Sequence, residues 1–329
     1  MQATAVILAA GLGTRMKSSL PKTLHRIAGR SMLRHLLASC EQVFDRIVVV
    51  VGPDMEAVQR EAAPHTCVVQ QQPLGTAHAA LAAAEAFGDG NVAILYADNP
   101  LIRPGTLRRL LQRLQPTDAR LVLLAFRPAD PGRYGRVIAR QGFVERVVEW
   151  ADASEEVRAI GLCNAGVLCG AADDMRRWLA AVRPDNTKGE YYLTDVVALA
   201  VEDDRRVAAV EAPAEELAGI NSRAELAAVE AVMQSWLRAA AMEAGVTMID
   251  PGSVFLSADT EFSPDVTIEP NVVFGPGVKI AAGTQIRAFS HLEGCIVGPG
   301  CIVGPRMRTN DAARAPNSAP TCMSAISSN

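Results

Sequence analysis

The 329-residue chain lacks several features that mark other protein classes. It has no apolar run near the roughly 18 residues needed to cross a bilayer, so we expect no membrane association. Its seven cysteines include no C-x-x-C pair, which argues against a zinc site and favours reduced thiols in the cytoplasm. The formal net charge is -4 and no basic stripe is present, so nucleic acid is not an expected partner.

Two common nucleotide motifs are also missing. A Walker A loop needs four residues between its glycines, and the G-x-G-x-x-G fingerprint is broken because Met16 occupies the third glycine position. The chain has instead L-A-A-G-L-G-T-R-M over residues 8–16, followed by Pro21 and Lys22. The first apolar run, over residues 5–10, enters this glycine-rich turn and not a cleavage site, so we expect no signal peptide and a cytoplasmic protein.

The glycine-rich turn has the chemistry of a phosphate site. Gly11 and Gly13 carry no Cβ and can present backbone N–H groups to phosphate oxygens at close range. Arg15 offers a planar fork to a polyphosphate, and Lys22 offers a mobile point charge. The alternative is an ordinary glycine turn with two solvated cations. The spacing favours the phosphate interpretation.

The first two-thirds of the chain alternates strand-like and helix-like segments. A chain of this length exceeds what one core usually supports, so two domains are expected. Buried strands are predicted at residues 5–10, 46–51, 67–69, 91–96 and 120–126, and helices at residues 32–43, 76–87 and 105–114. This alternation predicts an α/β fold with a mostly parallel sheet, whose ligands bind beyond the C-terminal ends of the strands.

Polar motifs follow two of these strands. Gln70 has the donor and acceptor needed to recognise a pyrimidine edge, Gly75 allows close approach of a planar ring, and Thr76 is expected to cap the following helix. A capped helix after a glutamine-rich loop is the structural alternative. Asp98 ends another strand ahead of a proline-containing turn and is suited to Mg²⁺, although turn formation alone is the other explanation.

Further polar residues are scattered through the second third of the chain. Taken singly, each of their segments could be a hairpin turn, a surface carboxylate or an ordinary strand. The residues of interest are Gly135, Glu149, Asn164, Tyr192 and Thr194. Later, Ser222 and Glu225 have the spacing of a capping box at the start of a long helix, and the amide oxygen of the preceding Asn221 is a suitable metal ligand. A local turn is the alternative role for Asn221.

Apolar residues then recur every six positions, with a single one-residue deletion. This hexapeptide repeat predicts about two coils of a left-handed parallel β-helix. The repeating residues are Ile268, Phe274, Ile280, Ile286, Leu292, Val297 and Val303. Residues 306–329 show no periodicity and are rich in Ser, Ala, Asn, Arg and Pro, so we expect them to be disordered.

Taken in order, the motifs resemble those of the sugar-phosphate nucleotidyltransferases. The combined series narrows the resemblance to the bifunctional N-acetylglucosamine-1-phosphate uridyltransferase/glucosamine-1-phosphate N-acetyltransferase family. The resemblance implies a Rossmann-like, mostly parallel sheet, a long helix and a short left-handed parallel β-helix. We therefore predict a uridyltransferase domain at residues 1–221, a linker helix at 222–245, a truncated β-helix at 246–305 and a disordered tail at 306–329.

The resemblance also implies a reaction and its site residues. UMP would pass from UTP to N-acetylglucosamine 1-phosphate, giving UDP-N-acetylglucosamine and pyrophosphate on the route to peptidoglycan and lipopolysaccharide precursors. Arg15 and Lys22 would be catalytic, and Asp98 and Asn221 would hold Mg²⁺. The nucleotide would contact Leu8, Ala10, Gly11, Gly13, Gln70, Gly75 and Thr76. The sugar phosphate would contact Gly135, Glu149, Asn164 and Thr194, with Tyr192 either lining the acetamide pocket or packing.

The chain departs from the family pattern in two places. Ala97 stands where the family has glycine, and its methyl group could crowd the nucleotide. The β-helix is short, so we expect acetyltransferase activity to be missing, and whether the chain forms the family's homotrimer is left undecided.

Three alternative functions remain: a nucleotidyltransferase for another sugar phosphate or base, a hexapeptide acyltransferase, and a non-catalytic nucleotide-binding module.

Overall fold

A computed structural model of the protein describes residues 2–11, 13–114 and 118–304. The predicted disorder of residues 306–329 lies outside these residues. The chain separates into two compact units, Met1–His25 with Ser31–Leu226, and Arg26–Arg30 with Ala227–Asn329. Among the helices of the described ranges, none is both long and apolar enough to cross a membrane.

The strands and helices follow one another along the chain. The strands up to residue 211 are β1 (Ala3–Leu8), β2 (Arg26–Ile27), β3 (Arg30–Ser31), β4 (Arg46–Val51), β5 (Thr66–Val69), β6 (Asn91–Tyr96), β7 (Leu121–Phe126), β8 (Arg136–Arg140), β9 (Phe143–Val148), β10 (Cys163–Ala171) and β11 (Val207–Glu211). The helices are α1 (Met32–Cys40), α2 (Glu56–Ala62), α3 (Thr76–Ala82), α4 (Pro104–Arg113), α5 (Glu155–Arg158), α6 (Ala172–Ala181), α7 (Asp195–Glu202), α8 (Ala214–Leu217) and α9 (Arg223–Glu243).

The first unit is built on one mostly parallel sheet, which confirms the predicted fold class. Its strand order is β11-β7-β10-β6-β1-β4-β5. The pairs β1 with β4, β1 with β6, β4 with β5 and β7 with β11 are parallel. The exception is β10, which runs antiparallel to both β6 and β7. The hairpin of β8 and β9 extends from β10 at the edge of this path.

Strand β1 is buried on both faces of the sheet, as its apolar sequence predicts. Ala5 and Ile7 pack into the hydrophobic cluster on one face, and Val6 packs into the cluster on the other. All three side chains are fully buried. Successive side chains of a strand point to opposite faces, so a strand between two helical layers buries side chains on both faces and is mostly apolar.

The second unit contains the predicted repeat as a parallel β-helix. Its strands are β12 (Thr247–Met248), β13 (Glu261–Phe262), β14 (Thr267–Ile268), β15 (Val273–Phe274), β16 (Lys279–Ile280), β17 (Gln285–Ile286), β18 (His291–Leu292), β19 (Ile296–Val297) and β20 (Ile302–Val303). They form three parallel ladders, β12-β14-β17-β20, β13-β16-β19 and β15-β18. The one-residue deletion is absorbed without loss of register, since Ile280 pairs with Val297.

Candidate functional site

Two adjacent strands bring the glycine-rich turn and Asp98 to the same edge of the sheet. β1 and β6 run parallel with Leu8 opposite Tyr96. The Ala97 N–H donates to the Leu8 carbonyl at 3.1 Å and extends this pairing beyond the strand ends. Both chain segments therefore leave the sheet side by side at its C-terminal edge, where open α/β sheets bind ligands.

Of the two glycines in the turn, Gly13 has the special backbone conformation. Its φ of 62° lies in the left-handed region, and a Cβ there would overlap the Lys22 side chain. Gly11 is not among the residues with positive φ, and a Cβ there would meet nothing within 4 Å. The absence of a side chain at Gly13 therefore allows Lys22 to pack against the turn.

Lys22 is the centre of the polar cluster at this edge. Its ammonium donates to Asp98 Oδ2 in a short ion pair and to Asn221 Oδ1 at 2.8 Å. The Arg15 guanidinium donates to the same Asn221 oxygen at 2.8 Å. The two predicted catalytic cations and the two predicted metal ligands thus converge in the structure, although they come from four separate segments of the sequence.

Local hydrogen bonds hold Asn221 beside Asp98. The Ile220 N–H donates to the Asp98 carbonyl at 3.0 Å. The predicted capping box is present, because the Glu225 N–H donates to Ser222 Oγ at 3.2 Å and the Ser222 N–H donates to Glu225 Oε2 at 2.9 Å. The Asn221 N–H donates to the same carboxylate oxygen at 2.5 Å. The helix start therefore fixes the backbone that carries the Asn221 amide.

The oxygen atoms of Asp98 and Asn221 are suitable ligands for a hard divalent cation. The Asp98 carboxylate and the Asn221 amide oxygen both accept hydrogen bonds from the Lys22 ammonium, and the Asn221 oxygen also accepts one from Arg15. In the part of the chain that the structure describes, no three His, Cys, Asp or Glu side chains form a metal cluster. Mg²⁺ commonly takes one or two protein oxygens and completes its shell with phosphates and water, so two protein ligands suit it.

Gln70 and Gly75 belong to the segment between β5 and α3. Gln70 directly follows β5, and its N–H donates to the Val51 carbonyl at 2.8 Å. Gly75 has a φ of 128°, and a Cβ there would lie 2.5 Å from the Tyr191 carbonyl oxygen. Only glycine therefore fits between this turn and Tyr191.

The prediction that Thr76 caps helix α3 is wrong. Gly75 occupies the N-cap position, and Thr76 is the first residue of the helix. The Thr76 hydroxyl instead accepts a hydrogen bond from the Leu193 N–H at 2.9 Å. The side chain thus ties the helix start to a segment that is remote in sequence.

A cleft of about 360 Å³ joins these groups. Its lining includes ten of the predicted site residues: Leu8, Ala10, Gly11, Arg15, Lys22, Gln70, Gly75, Thr76, Asp98 and Asn221. Gly13 is not part of the lining. Ala97 is 1% exposed and belongs to the hydrophobic core, so its methyl group packs away from the cleft. The Ala97 methyl group is therefore not part of the cleft lining.

Sequence reasoning missed Tyr96 and Glu190, which also line the cleft. Burial raises the pKa of the Tyr96 phenol. Its ring packs where a side chain at Gly166 would stand. A signal was available for Tyr96, because it is the last residue of β6 and lies two positions before Asp98, at the strand end where ligands bind.

The predicted sugar-binding residues form a second cluster and do not line this cleft. Gly135 and Glu149 flank the open end of the β8–β9 hairpin, where Arg136 pairs with Val148. The Asn164 N–H donates to the Gly135 carbonyl at 2.9 Å, and the Thr194 hydroxyl donates to Glu149 Oε1 at 3.1 Å. The hairpin thus brings together four residues whose segments looked unremarkable singly.

Two members of the second cluster are largely enclosed. Asn164 is 7% exposed, and its Oδ1 accepts a hydrogen bond from the Gly166 N–H at 3.1 Å. Tyr192 is 8% exposed, and its hydroxyl has no hydrogen-bond partner among the described residues. Burial, followed by the carboxylates of Asp152 and Glu190, raises the pKa of Tyr192 to about 12.

Carboxylates make the surroundings of this cluster unusually acidic. Burial raises the pKa of Glu149, and the hydroxyl of Thr194 opposes that shift. Burial, followed by the charges of Glu149 and Asp152, raises the pKa of Asp195 to about 6. Sequence reasoning assigned no role to Asp195.

Comparisons with known proteins agree with this architecture. A protein from Gluconacetobacter diazotrophicus named bifunctional protein GlmU is 62% identical over 266 residues, which are 80% of this chain and 58% of that protein. A protein of the same name from Acidiphilium cryptum is 63% identical over 260 residues, 79% of this chain and 60% of that protein. The chain therefore spans less than two-thirds of the length of these relatives, and the predicted resemblance to a bifunctional family is confirmed.

A solved structure supports the fold alone. The crystal structure of UDP-glucose pyrophosphorylase complexed with UDP-glucose aligns with a TM-score of 0.59 at 17% identity, covering 72% of this chain and 100% of that one.

The family profile of the MobA-like NTP transferase domain matches residues 5–234, well over half of the chain. On that match, the chain belongs to the MobA-like NTP transferase domain family.

Proposed function

We propose that this chain transfers UMP from UTP to N-acetylglucosamine 1-phosphate, releasing pyrophosphate and UDP-N-acetylglucosamine. One observation carries the proposal: Arg15, Lys22, Asp98 and Asn221 converge in a cleft that the Gln70 amide also lines. Such a cleft offers cations and metal ligands to a triphosphate and an amide to its base. The relatives named bifunctional protein GlmU support this assignment.

The proposed reaction needs no side-chain nucleophile. A phosphate oxygen of the sugar phosphate is anionic at neutral pH and attacks the α-phosphorus of UTP. The new bond joins that oxygen to the α-phosphorus, and the bond between the α-phosphorus and the bridging oxygen breaks, so that pyrophosphate leaves with the electron pair. Positioning and charge stabilisation then supply the catalysis.

Each polar side chain has a role set by its position. Arg15 is exposed at the glycine turn and suits the departing pyrophosphate, to which its planar fork can donate two hydrogen bonds. Asp98 and Asn221 would hold Mg²⁺, which neutralises phosphate charge when bound. Lys22 would leave these two oxygens to a bound cation, and its flexible stem would let the ammonium contact the phosphates.

The second cluster suits the hydroxyl and acetamide groups of the sugar. Glu149 can accept hydrogen bonds from two ring hydroxyls, and the Asn164 Nδ2 remains to donate because its Oδ1 is engaged by the Gly166 N–H. Gly135 and Thr194 keep the Glu149 carboxylate in place, through close packing and a hydrogen bond respectively. Tyr192 can donate its hydroxyl to the substrate, which would satisfy a buried group that has no partner in the described chain.

A panel assay tests the proposed function. Pyrophosphate release is measured with UTP, CTP, dTTP, ATP and GTP, each combined with N-acetylglucosamine 1-phosphate, glucosamine 1-phosphate and glucose 1-phosphate. The fastest release is expected with UTP and N-acetylglucosamine 1-phosphate. A preference for another pair would assign a different nucleotidyltransferase reaction, and no release with any pair would leave only a binding module.

The activities of the longer relatives remain separate proposals. The domain bounds at residues 1–221, 222–245, 246–305 and 306–329 stay predictions. Incubation with acetyl-CoA and glucosamine 1-phosphate tests for acetyltransferase activity by thiol release. Light scattering of the purified chain determines whether a trimer forms.

A further inference from the structure

His78 lies in the first turn of α3 and makes a specific contact with Gln70. The Gln70 Nε2 is 3.0 Å from His78 Nδ1 and 3.2 Å from the Gly75 carbonyl oxygen. Gln70 is only 5% exposed, so its amide cannot satisfy these positions with solvent. The sequence analysis assigned His78 no role, yet it is one of two groups that hold the Gln70 amide.

The Gly75 carbonyl determines which way the Gln70 amide points. This carbonyl oxygen also accepts the N–H of Ala79 at 3.0 Å, as part of the first turn of α3. A carbonyl oxygen can only accept hydrogen bonds, so the NH₂ of Gln70 must face it. The same NH₂ then faces His78, and Nδ1 must accept. That requires the neutral ring with its proton on Nε2.

The consequence is a defined polarity at the base end of the cleft. With its NH₂ held by Gly75 and His78, Gln70 has only Oε1 left, and no described residue donates to that oxygen. Gln70 lines the cleft, so it offers the ligand an acceptor. Uracil presents a donor at N3, whereas cytosine presents a bare acceptor there, and two facing acceptors repel.

We infer that His78 is a positioning residue that makes the site select uracil over cytosine by fixing the orientation of the Gln70 amide. This inference rests on the proposed nucleotidyl transfer but assigns a residue outside the cleft lining. Without the imidazole acceptor, one of the two bonds that orient the amide is lost. The amide can then turn more readily and offer its NH₂ to the N3 atom of cytosine.

The test compares two substitutions. His78→Leu removes the acceptor, and His78→Asn keeps an acceptor oxygen near the position of Nδ1. The ratio of kcat/KM for UTP to that for CTP is measured with N-acetylglucosamine 1-phosphate as the second substrate. We expect His78→Leu to lower the ratio about ten-fold, which corresponds to about 1.4 kcal/mol, and His78→Asn to retain most of it.

The ratio is insensitive to partial misfolding, because inactive protein lowers both rates equally. The KM for the sugar phosphate should stay unchanged in both variants, since its proposed residues lie in the other cluster. An unchanged ratio in His78→Leu would overturn the inference. If the wild-type protein shows no preference for UTP over CTP, the proposed function is wrong. If the wild type prefers UTP but His78→Leu keeps that preference, only the role of His78 is wrong, so the two failures are distinguishable.

A spectroscopic measurement tests the same point without activity. In ¹⁵N-labelled protein at neutral pH, the His78 ring should show an unprotonated Nδ1 and a protonated Nε2. A ring protonated on Nδ1 would contradict the inference, because it could not accept the amide hydrogen of Gln70.

Discussion

Replacing Lys22 with methionine should make the free protein bind divalent cations more tightly. In the structure, the Lys22 ammonium bonds to both Asp98 and Asn221, the two groups proposed to hold the metal. The Lys22 and Asp98 side chains are only 13% and 21% exposed, so solvent screens their interaction weakly. Any cation that binds these oxygens must first displace the ammonium.

The size of the effect follows from the bonds that are broken. A hydrogen bond to a charged group contributes about 1.5–3 kcal/mol net, and each 1.4 kcal/mol changes an affinity ten-fold. Lys22→Met should therefore lower the Kd for Mn²⁺, used as a spectroscopic substitute for Mg²⁺, by about 10- to 100-fold in the absence of nucleotide. Turnover should fall at the same time, because the phosphates lose a cation.

The assay is titration calorimetry or Mn²⁺ electron paramagnetic resonance on nucleotide-free protein. Lys17→Met is the matched control, because Lys17 is an exposed lysine that precedes Lys22 in the same stretch of the sequence. It removes an equal charge without vacating the oxygens of Asp98 and Asn221. Equal Kd values for wild type and Lys22→Met would refute the argument that Lys22 competes for the metal site.

Three other predictions concern charge, backbone and pH. Arg15→Ala should lower kcat for pyrophosphate release on the order of 10²-fold, as loss of one donor to developing charge does elsewhere; unchanged kcat would remove Arg15 from the site. Gly13→Ala should destabilise the protein by about 1–2 kcal/mol in urea unfolding because of its left-handed φ, whereas Gly11→Ala should be near neutral. The pKa of Asp195, about 6 in the folded protein against an ordinary 3.8, means that the folded state binds the proton more tightly, so stability falls as pH rises through this window. Asp195→Asn should therefore raise the free energy of unfolding by about 1–2 kcal/mol above pH 7, allowing for partial exposure, and change it little near pH 4; a gain of equal size at both pH values would contradict the assignment.

Local patterns in the sequence predicted local structure well. The apolar runs at residues 46–51 and 91–96 coincide with β4 and β6, because a buried strand must be apolar on both faces. The capping box of Ser222 and Glu225 forms as predicted, since both hydrogen bonds lie within one helical turn. The hexapeptide repeat predicted the strands of the β-helix, because each coil repeats the local pattern of the preceding one.

The failures arise where distant segments compete for a local group. The hydroxyl of Thr76 could have capped its own helix, but the Leu193 N–H engages it across 117 positions of sequence. The antiparallel direction of β10 is likewise a property of the assembled sheet. Lys22 bonds to the Asp98 and Asn221 oxygens, which lie 76 and 199 positions further along the chain. The spacing of motifs in the sequence does not reveal contacts over such separations.

The role of Asp98 in nucleotidyl transfer is tested by the rate of pyrophosphate release by Asp98→Ala relative to wild type. The assay uses saturating UTP, N-acetylglucosamine 1-phosphate and Mg²⁺, with circular dichroism to establish that the variant is folded. The rate should fall on the order of 10²-fold or more, because a proposed ligand of the cation that neutralises phosphate charge is lost. A folded Asp98→Ala protein with wild-type turnover would contradict the proposed site and its mechanism.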